Sequence, residues 1–154
     1  MKEGVTGLPC CGTERQVKTR ESHVSTAAAR RRGHTQWRNK VLANNHACFF
    51  TGFGQNVQAH HLFSAVAYPK LANNLLNGVA LDGPVHRKFN SWHGQNNPCI
   101  ADDLCAFLFF ISDKKNTEGK VFFDTIRDFP LENLEIKLQE LKTLGETLTK
   151  LLKK

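Results

Sequence analysis

His60 and His61 stand side by side at the end of the run Asn56-Val57-Gln58-Ala59, and that adjacency limits the folds open to the chain. In a β-strand successive side chains point to opposite faces. Two neighbouring histidines therefore reach one site only where a strand gives way to a loop. Residues 62–76 supply that loop, with Tyr68-Pro69 and the polar Asn73-Asn74 inside it. A second short strand is expected at 78–81, and Gly83-Pro84 then starts a helix. His86 falls in its first turn, and His86, Asn90 and His93 stand at i, i+4 and i+7, roughly on one helical face.

Upstream, the apolar runs Cys48-Phe49-Phe50 and Asn56-Val57-Gln58-Ala59 flank Thr51-Gly52-Phe53-Gly54-Gln55. Two glycines in a five-residue link between strand-like runs read as a β-hairpin. Trp37, Val41 and Leu42 are spaced for one face of a short helix ending near Asn44-Asn45. Residues 1–36, rich in Gly, Thr, Ser and Arg, lack apolar periodicity and read as a basic arm. Within it Ala27-Ala28-Ala29-Arg30-Arg31-Arg32 has helical propensity that Gly33 is expected to stop.

Downstream, 101–111 reads as a buried helix whose Asp102 and Asp103 favour its N-terminal dipole. A turn at 114–119 and a short element at Val121-Phe122-Phe123 follow, and Pro130 opens a terminal helix to about Leu152. Leu131, Leu134, Leu138 and Leu141 step by 3, 4 and 3, a seam pattern. Gly145 is expected to break it, with Leu141, Leu144, Leu148 and Leu151 restarting in another register. Such a helix either packs one face on its own chain or associates with a second copy. The expected class is α+β: an arm (1–36), a compact centre (37–97) and a helical C-terminal region (98–154).

Charge separates along this division. Residues 1–36 carry seven Lys/Arg against three Glu, and 37–97 carry five against Asp82 alone. Each of these segments is net +4, so the positive charge behind the formal +7 lies in the arm and the histidine segment, which favours a polyanionic partner. A hydrophobic content of 40% suffices for a modest core and argues against wholesale disorder. The five cysteines (Cys10, Cys11, Cys48, Cys99 and Cys105) are odd in number and lack the spacing of a disulfide framework. No apolar segment resembling a secretory signal follows Met1, and the longest apolar stretch, 104–111, is too short to span a bilayer. A reducing, cytoplasmic location and no membrane partner are the expectation.

Phosphodiester hydrolysis needs a base to deprotonate water and positive charge at the leaving oxygen. A neutral histidine supplies the first at neutral pH, and a divalent cation with open positions supplies the second. His60, His61, His86 and Asn90 together offer both. Asn77 is better suited to scaffolding, its amide bridging the long loop so that a catalytic histidine stays aimed.

Trp37, Cys48-x-x-Thr51-Gly52, Ala59-His60-His61-Leu62, Tyr68-Pro69, Asn77-Gly78-Val79 and His86-x-x-x-Asn90 together resemble the HNH endonuclease family over about residues 37–97. Within that family the chain is most similar to small homing-type enzymes of phages, cyanobacteria and chloroplasts. The resemblance implies a ββα-metal finger in which His61 is the general base and Asn77 the structural asparagine. His60 and His86 become metal ligands, and Asn90 stands where many members carry a further histidine. Asparagine can ligate through its carbonyl oxygen, which suits a hard ion, so Mg²⁺ is expected, with Mn²⁺ as the alternative. Many relatives hold a structural zinc on two Cys-x-x-Cys pairs. The corresponding positions here read Cys48, Thr51, Asp82 and Val85, one thiol of four, so no structural zinc is expected.

The implied substrate is double-stranded DNA. Arg30, Arg31, Arg32, Arg38, Lys40, Arg87 and Lys88 are its expected phosphate contacts. They would position DNA without reading its sequence. One metal site cuts one strand, so a monomer should nick, and a double-strand break would require a homodimer, for which the terminal helix is the candidate contact. Two other readings stay open: a non-specific or structure-directed nuclease, and a catalytically inactive nucleic-acid-binding scaffold.

Overall fold

The computed structural model describes residues 18–94, 97–113 and 133–154, with side chains from Ala27 onward. The turn at 114–119, the Val121-Phe122-Phe123 element and the expected helix start at Pro130 lie outside the described residues. The chain divides into two compact units, Met1–Arg32 and Gly33–Lys154. The second is a small α+β body whose elements run α1 (Lys18–Asn44, begun in the first unit), β1 (Val57–His61), β2 (Gly78–Asp82), α2 (Gly83–His93), α3 (Ala101–Ser112) and α4 (Leu134–Leu152). Two single 3₁₀ turns, Pro69–Leu71 and Leu75–Asn77, punctuate the connection between the strands.

β1 and β2 pair antiparallel, with His60 opposite Val79 and His61 opposite Gly78. The expected hairpin is therefore corrected: the partner of β1 lies beyond the long loop, not before the Gly-rich link. Residues 48–50 form a turn instead, closed by Gly52 N–H to the Cys48 carbonyl (2.9 Å) and Cys48 N–H to the Phe53 carbonyl (2.7 Å). The positive φ of Gly52, 70°, is what lets the chain double back so tightly. Apolar residues here mark burial rather than extension: Cys48 and Phe50 enter the core.

The short helix expected at 37–44 is also corrected, since α1 runs 27 residues, from Lys18, and passes through Gly33. A glycine inside a helix costs only about 1 kcal/mol relative to alanine, too little to stop one flanked by Ala27–Ala29 and Arg30–Arg32. Trp37 and Val41 bury against the start of β2. The approach is so close that a Cβ on Gly78 would lie 2.5 Å from Val41 Cγ2 and 2.8 Å from Trp37 Cζ2.

One apolar cluster runs from Cys48 and Phe50 through Leu62, Leu81 and Phe89 to Leu104, Leu108, Leu141 and Leu148. Residues of the histidine segment and of the C-terminal helices thus share a single core. Asp82 caps α2 by accepting from Val85 N–H at 2.8 Å, and its other oxygen accepts from the buried Thr51 hydroxyl at 3.1 Å. Asp103 accepts from Ile100 N–H (2.8 Å) at the start of α3, and its carboxylate also meets His93 Nε2 at 3.1 Å, tying α2 to α3. Trp92 lies against Phe107 and Phe110, its ring centroid 5.6 and 5.7 Å from theirs, and leaves 36% of its surface exposed.

Gly145 does not break the seam of α4, which keeps one register. Leu138, Leu141, Gly145 and Leu148 are the buried stripe, one continuous heptad face packed within the chain. A Cβ at Gly145 would come 3.0 Å from the Ala101 Cβ, so the missing side chain is what lets α4 cross the first turn of α3.

Gly78→Val should lower stability by about 1–3 kcal/mol in urea unfolding, because the new side chain collides with Trp37 and Val41. An unchanged midpoint would contradict the close approach of α1 to β2.

Candidate active site

Buried Asn77 organises the loop between the strands. With its side chain fully enclosed (0% exposed), its Oδ1 accepts from Phe63 N–H at 2.7 Å. Its Nδ2 donates to the carbonyls of Phe63 (2.9 Å) and Leu71 (3.1 Å). Three bonds from one amide tie the start of the loop at Phe63 and its middle at Leu71 to the foot of β2. Leu62 N–H adds a bond to the Asn77 carbonyl (3.0 Å), continuing the ladder past His61. All three bonds of the Asn77 amide go to backbone groups.

That loop presents its carbonyls to the residues around His61. The Ala72 carbonyl lies 2.9 Å from His61 Nε2. A carbonyl only accepts, so Nε2 carries the proton of the neutral ring and Nδ1 keeps the lone pair. The Trp37 indole stacks on the His61 ring, with centroids 3.5 Å apart and planes 4° from parallel. Trp37 is itself fixed by donating Nε1–H to the Asn74 carbonyl at 2.9 Å. His34, one turn earlier on α1, lies 5.7 Å from both rings. Burial holds His61 below its ordinary pKa of 6.5, helped by His34 and opposed by the Ala72 bond.

Across the strand His60 turns inward, 8% exposed, with its ring edge-on to His86 (5.2 Å) and Phe89 (5.0 Å). Burial first, then the neighbouring His86, His61 and His93, push its pKa down to about 3, so it is a neutral imidazole throughout the physiological range. His86 is also held below its ordinary value by burial. Its Nδ1 lies 2.8 Å from Gln58 Oε1. An amide oxygen only accepts, so Nδ1 carries the proton and Nε2 presents the lone pair.

His60, His61 and His86 line one cleft of about 250 Å³, together with Ala59, Ser64, Ala65, Asn97 and Cys99. Asn90, expected as a ligand, is half-buried on α2 but does not line this cleft. Among the described residues no three His, Cys, Asp or Glu side chains already converge as a metal cage. The donor set nevertheless fits a divalent ion: two imidazoles held neutral by burial, one of them oriented by Gln58. Neutral imidazole is the form that ligates.

Of the expected phosphate contacts, Arg30, Arg31, Arg32, Arg38, Lys40 and Arg87 are exposed and Lys88 is half-buried. Arg30, Arg31 and Arg32 belong to the first unit, and the other four to the second. No helix among the described residues is long and apolar enough to cross a membrane.

Gln58 and Cys99 were missed in the sequence. Gln58 had a signal, standing two residues before His60 on the same strand face. Cys99 had none, because only the fold brings it 39 residues back to His60. No family model matches the chain, and no curated protein or solved structure matches it either.

Two outcomes follow for the metal-free protein. Asn77→Ala should cost about 3 kcal/mol, since buried backbone groups lose their partners; a loss below 1 kcal/mol would deny it the clamping role. Because His60 binds its proton far more weakly folded than unfolded, stability is complete above pH 6.5 and falls as pH drops from 6.5 toward 3. About 2 kcal/mol should be lost between pH 7 and pH 5, and His60→Phe should flatten that slope in urea titrations.

Proposed function

We propose that the protein is a metal-dependent DNA endonuclease of the HNH, or ββα-metal, kind. The observation that carries this reading is the pairing of a tautomer-fixed histidine with two neutral histidines in one cleft. The supports are the order β1, clamped loop, β2, α2 and the side chains that this order brings together. Thr51 and Asp82, which stand where the resembled family's zinc-binding members carry thiols, are joined by a hydrogen bond.

His61 would act as general base. Its Nε2–H is engaged by Ala72 and its ring is held flat by Trp37, so the Nδ1 lone pair is the proton acceptor for a water molecule. Its depressed pKa keeps that lone pair free at neutral pH. His60 and His86 would hold the metal, with Asn90 reaching it only if α2 or its side chain shifts. When bound there, a divalent ion supplies positive charge beside the scissile phosphate and the departing 3′ oxygen. Gln58 keeps His86 in the ligating orientation. Arg87, Lys88, Arg38 and Lys40 would take phosphates, as would Arg30, Arg31 and Arg32. Binding through such contacts weakens steeply as salt rises.

The test is cleavage of supercoiled plasmid, carrying a library of source-genome fragments, in Mg²⁺ or Mn²⁺. Wild type should yield open circles or linear DNA, and His61→Ala should not. Discrete products mean site-specific recognition, and a smear means a non-specific nuclease. DNA binding without cleavage in either ion would overturn catalysis in favour of an inactive binding scaffold. Gln58→Leu should weaken divalent-ion binding roughly 10–100-fold with the fold unchanged, measured by calorimetry.

A further inference from the structure

The cleft wall opposite the histidines is built from outside the strand–loop–strand–helix segment. Cys99, nine-tenths buried just before α3, directs its sulfur at His60 Nε2 from 3.8 Å. Its backbone is pinned to the loop, since Ser64 N–H donates to the Cys99 carbonyl at 2.8 Å. A nitrogen and a sulfur sharing one tetrahedral Zn²⁺, at bond lengths near 2.1 and 2.3 Å, stand about 3.6 Å apart. The observed separation is close to that bite.

The donors nearby are as telling. Among the described residues, no carboxylate lines the cleft, and its only side-chain oxygens belong to Ser64 and Asn97. Mg²⁺ seeks oxygen ligands, whereas imidazole with thiolate suits Zn²⁺ and its softer relatives. We propose that Cys99 is a metal ligand, joining His60 and His86 in a nitrogen–sulfur site that selects a thiophilic divalent ion over Mg²⁺. This deepens the metal-binding half of the proposed function and rests on it, but not on DNA cleavage.

His60 and Cys99 stand at bite distance already, and His86, its ring 5.2 Å from that of His60, would be the third donor. In the metal-free protein the thiol lies 3.5 Å from the carbonyls of Leu62 and Ile100, which can accept its S–H. On binding, the S–H bond breaks, its proton leaves to solvent and the sulfur electron pair is shared with the metal. No oxidant or reductant takes part.

The probe is CoCl₂, titrated into the full-length metal-free protein under a non-thiol reductant and followed by absorption. Wild type should develop a thiolate-to-cobalt charge-transfer band in the near ultraviolet together with visible ligand-field bands. Zn²⁺ should bleach both, while excess Mg²⁺ should not. Cys99→Ser should lose the charge-transfer band and keep visible bands from the two histidines; Cys99→Ala guards against serine taking over as a ligand. Visible bands without a charge-transfer band in wild type would overturn Cys99 as a ligand and leave the histidine site standing. A charge-transfer band that persists in both Cys99 variants would overturn it too, by assigning the thiolate to another cysteine. No spectral change at all would overturn the metal site itself, and with it the metal half of the proposed function.

Discussion

The side-chain amide of Asn77 is the constraint on which the rest of this structure depends. Sixteen residues separate the two strands, and nothing in their sequence gives that loop a periodic structure. Its form comes from one enclosed amide that satisfies three backbone groups at Phe63 and Leu71. Each of those groups, left unpaired in the interior, would cost on the order of 1–3 kcal/mol. With the loop fixed, the carbonyls of Ala72 and Asn74 become fixed points, one for His61 and the other for Trp37. The orientation of the candidate base is thus an indirect product of an asparagine that never faces the cleft.

Burial does the remaining electrostatic work. Packing His60 against Phe89 removes water that would stabilise an imidazolium, and three neighbouring histidines disfavour charge further. A cluster of histidines that might have been a pH sensor near neutrality is instead held neutral there. That neutrality suits ligands and a base alike, and its cost appears only in acid.

Much of this was legible in the sequence because it depends on short-range order. The histidine pair at a strand exit, the strand at 78–81, the helix from Gly83 and the buried helix from Ala101 all rest on local turn chemistry and periodicity. The misreadings share a physical origin: each treated a glycine or an apolar run as decisive without knowing its surroundings. Gly33 was given stopping power that a strong helical flank outweighs. Gly145 was read as a break in the leucine seam, when the absence of a side chain is what lets two helices touch. Phe49 and Phe50 were read as a strand, when their hydrophobicity records only that the turn is covered. Cys99 was illegible for another reason: its significance lies in a contact between segments far apart in the chain.

The crossing of α4 over α3 at Gly145 and Ala101 lies two residues from Cys99, so the cleft is walled by the part of the chain least like a catalytic signature. The recognisable motif is therefore not a transplantable cassette. A recombinant or a descendant that kept the histidine segment intact but exchanged residues 97–154 would retain every histidine of the cleft and lose its Asn97 and Cys99 side. Drift in those helices, far from the histidines, would reshape the wall of the cleft while the histidine segment stayed the same.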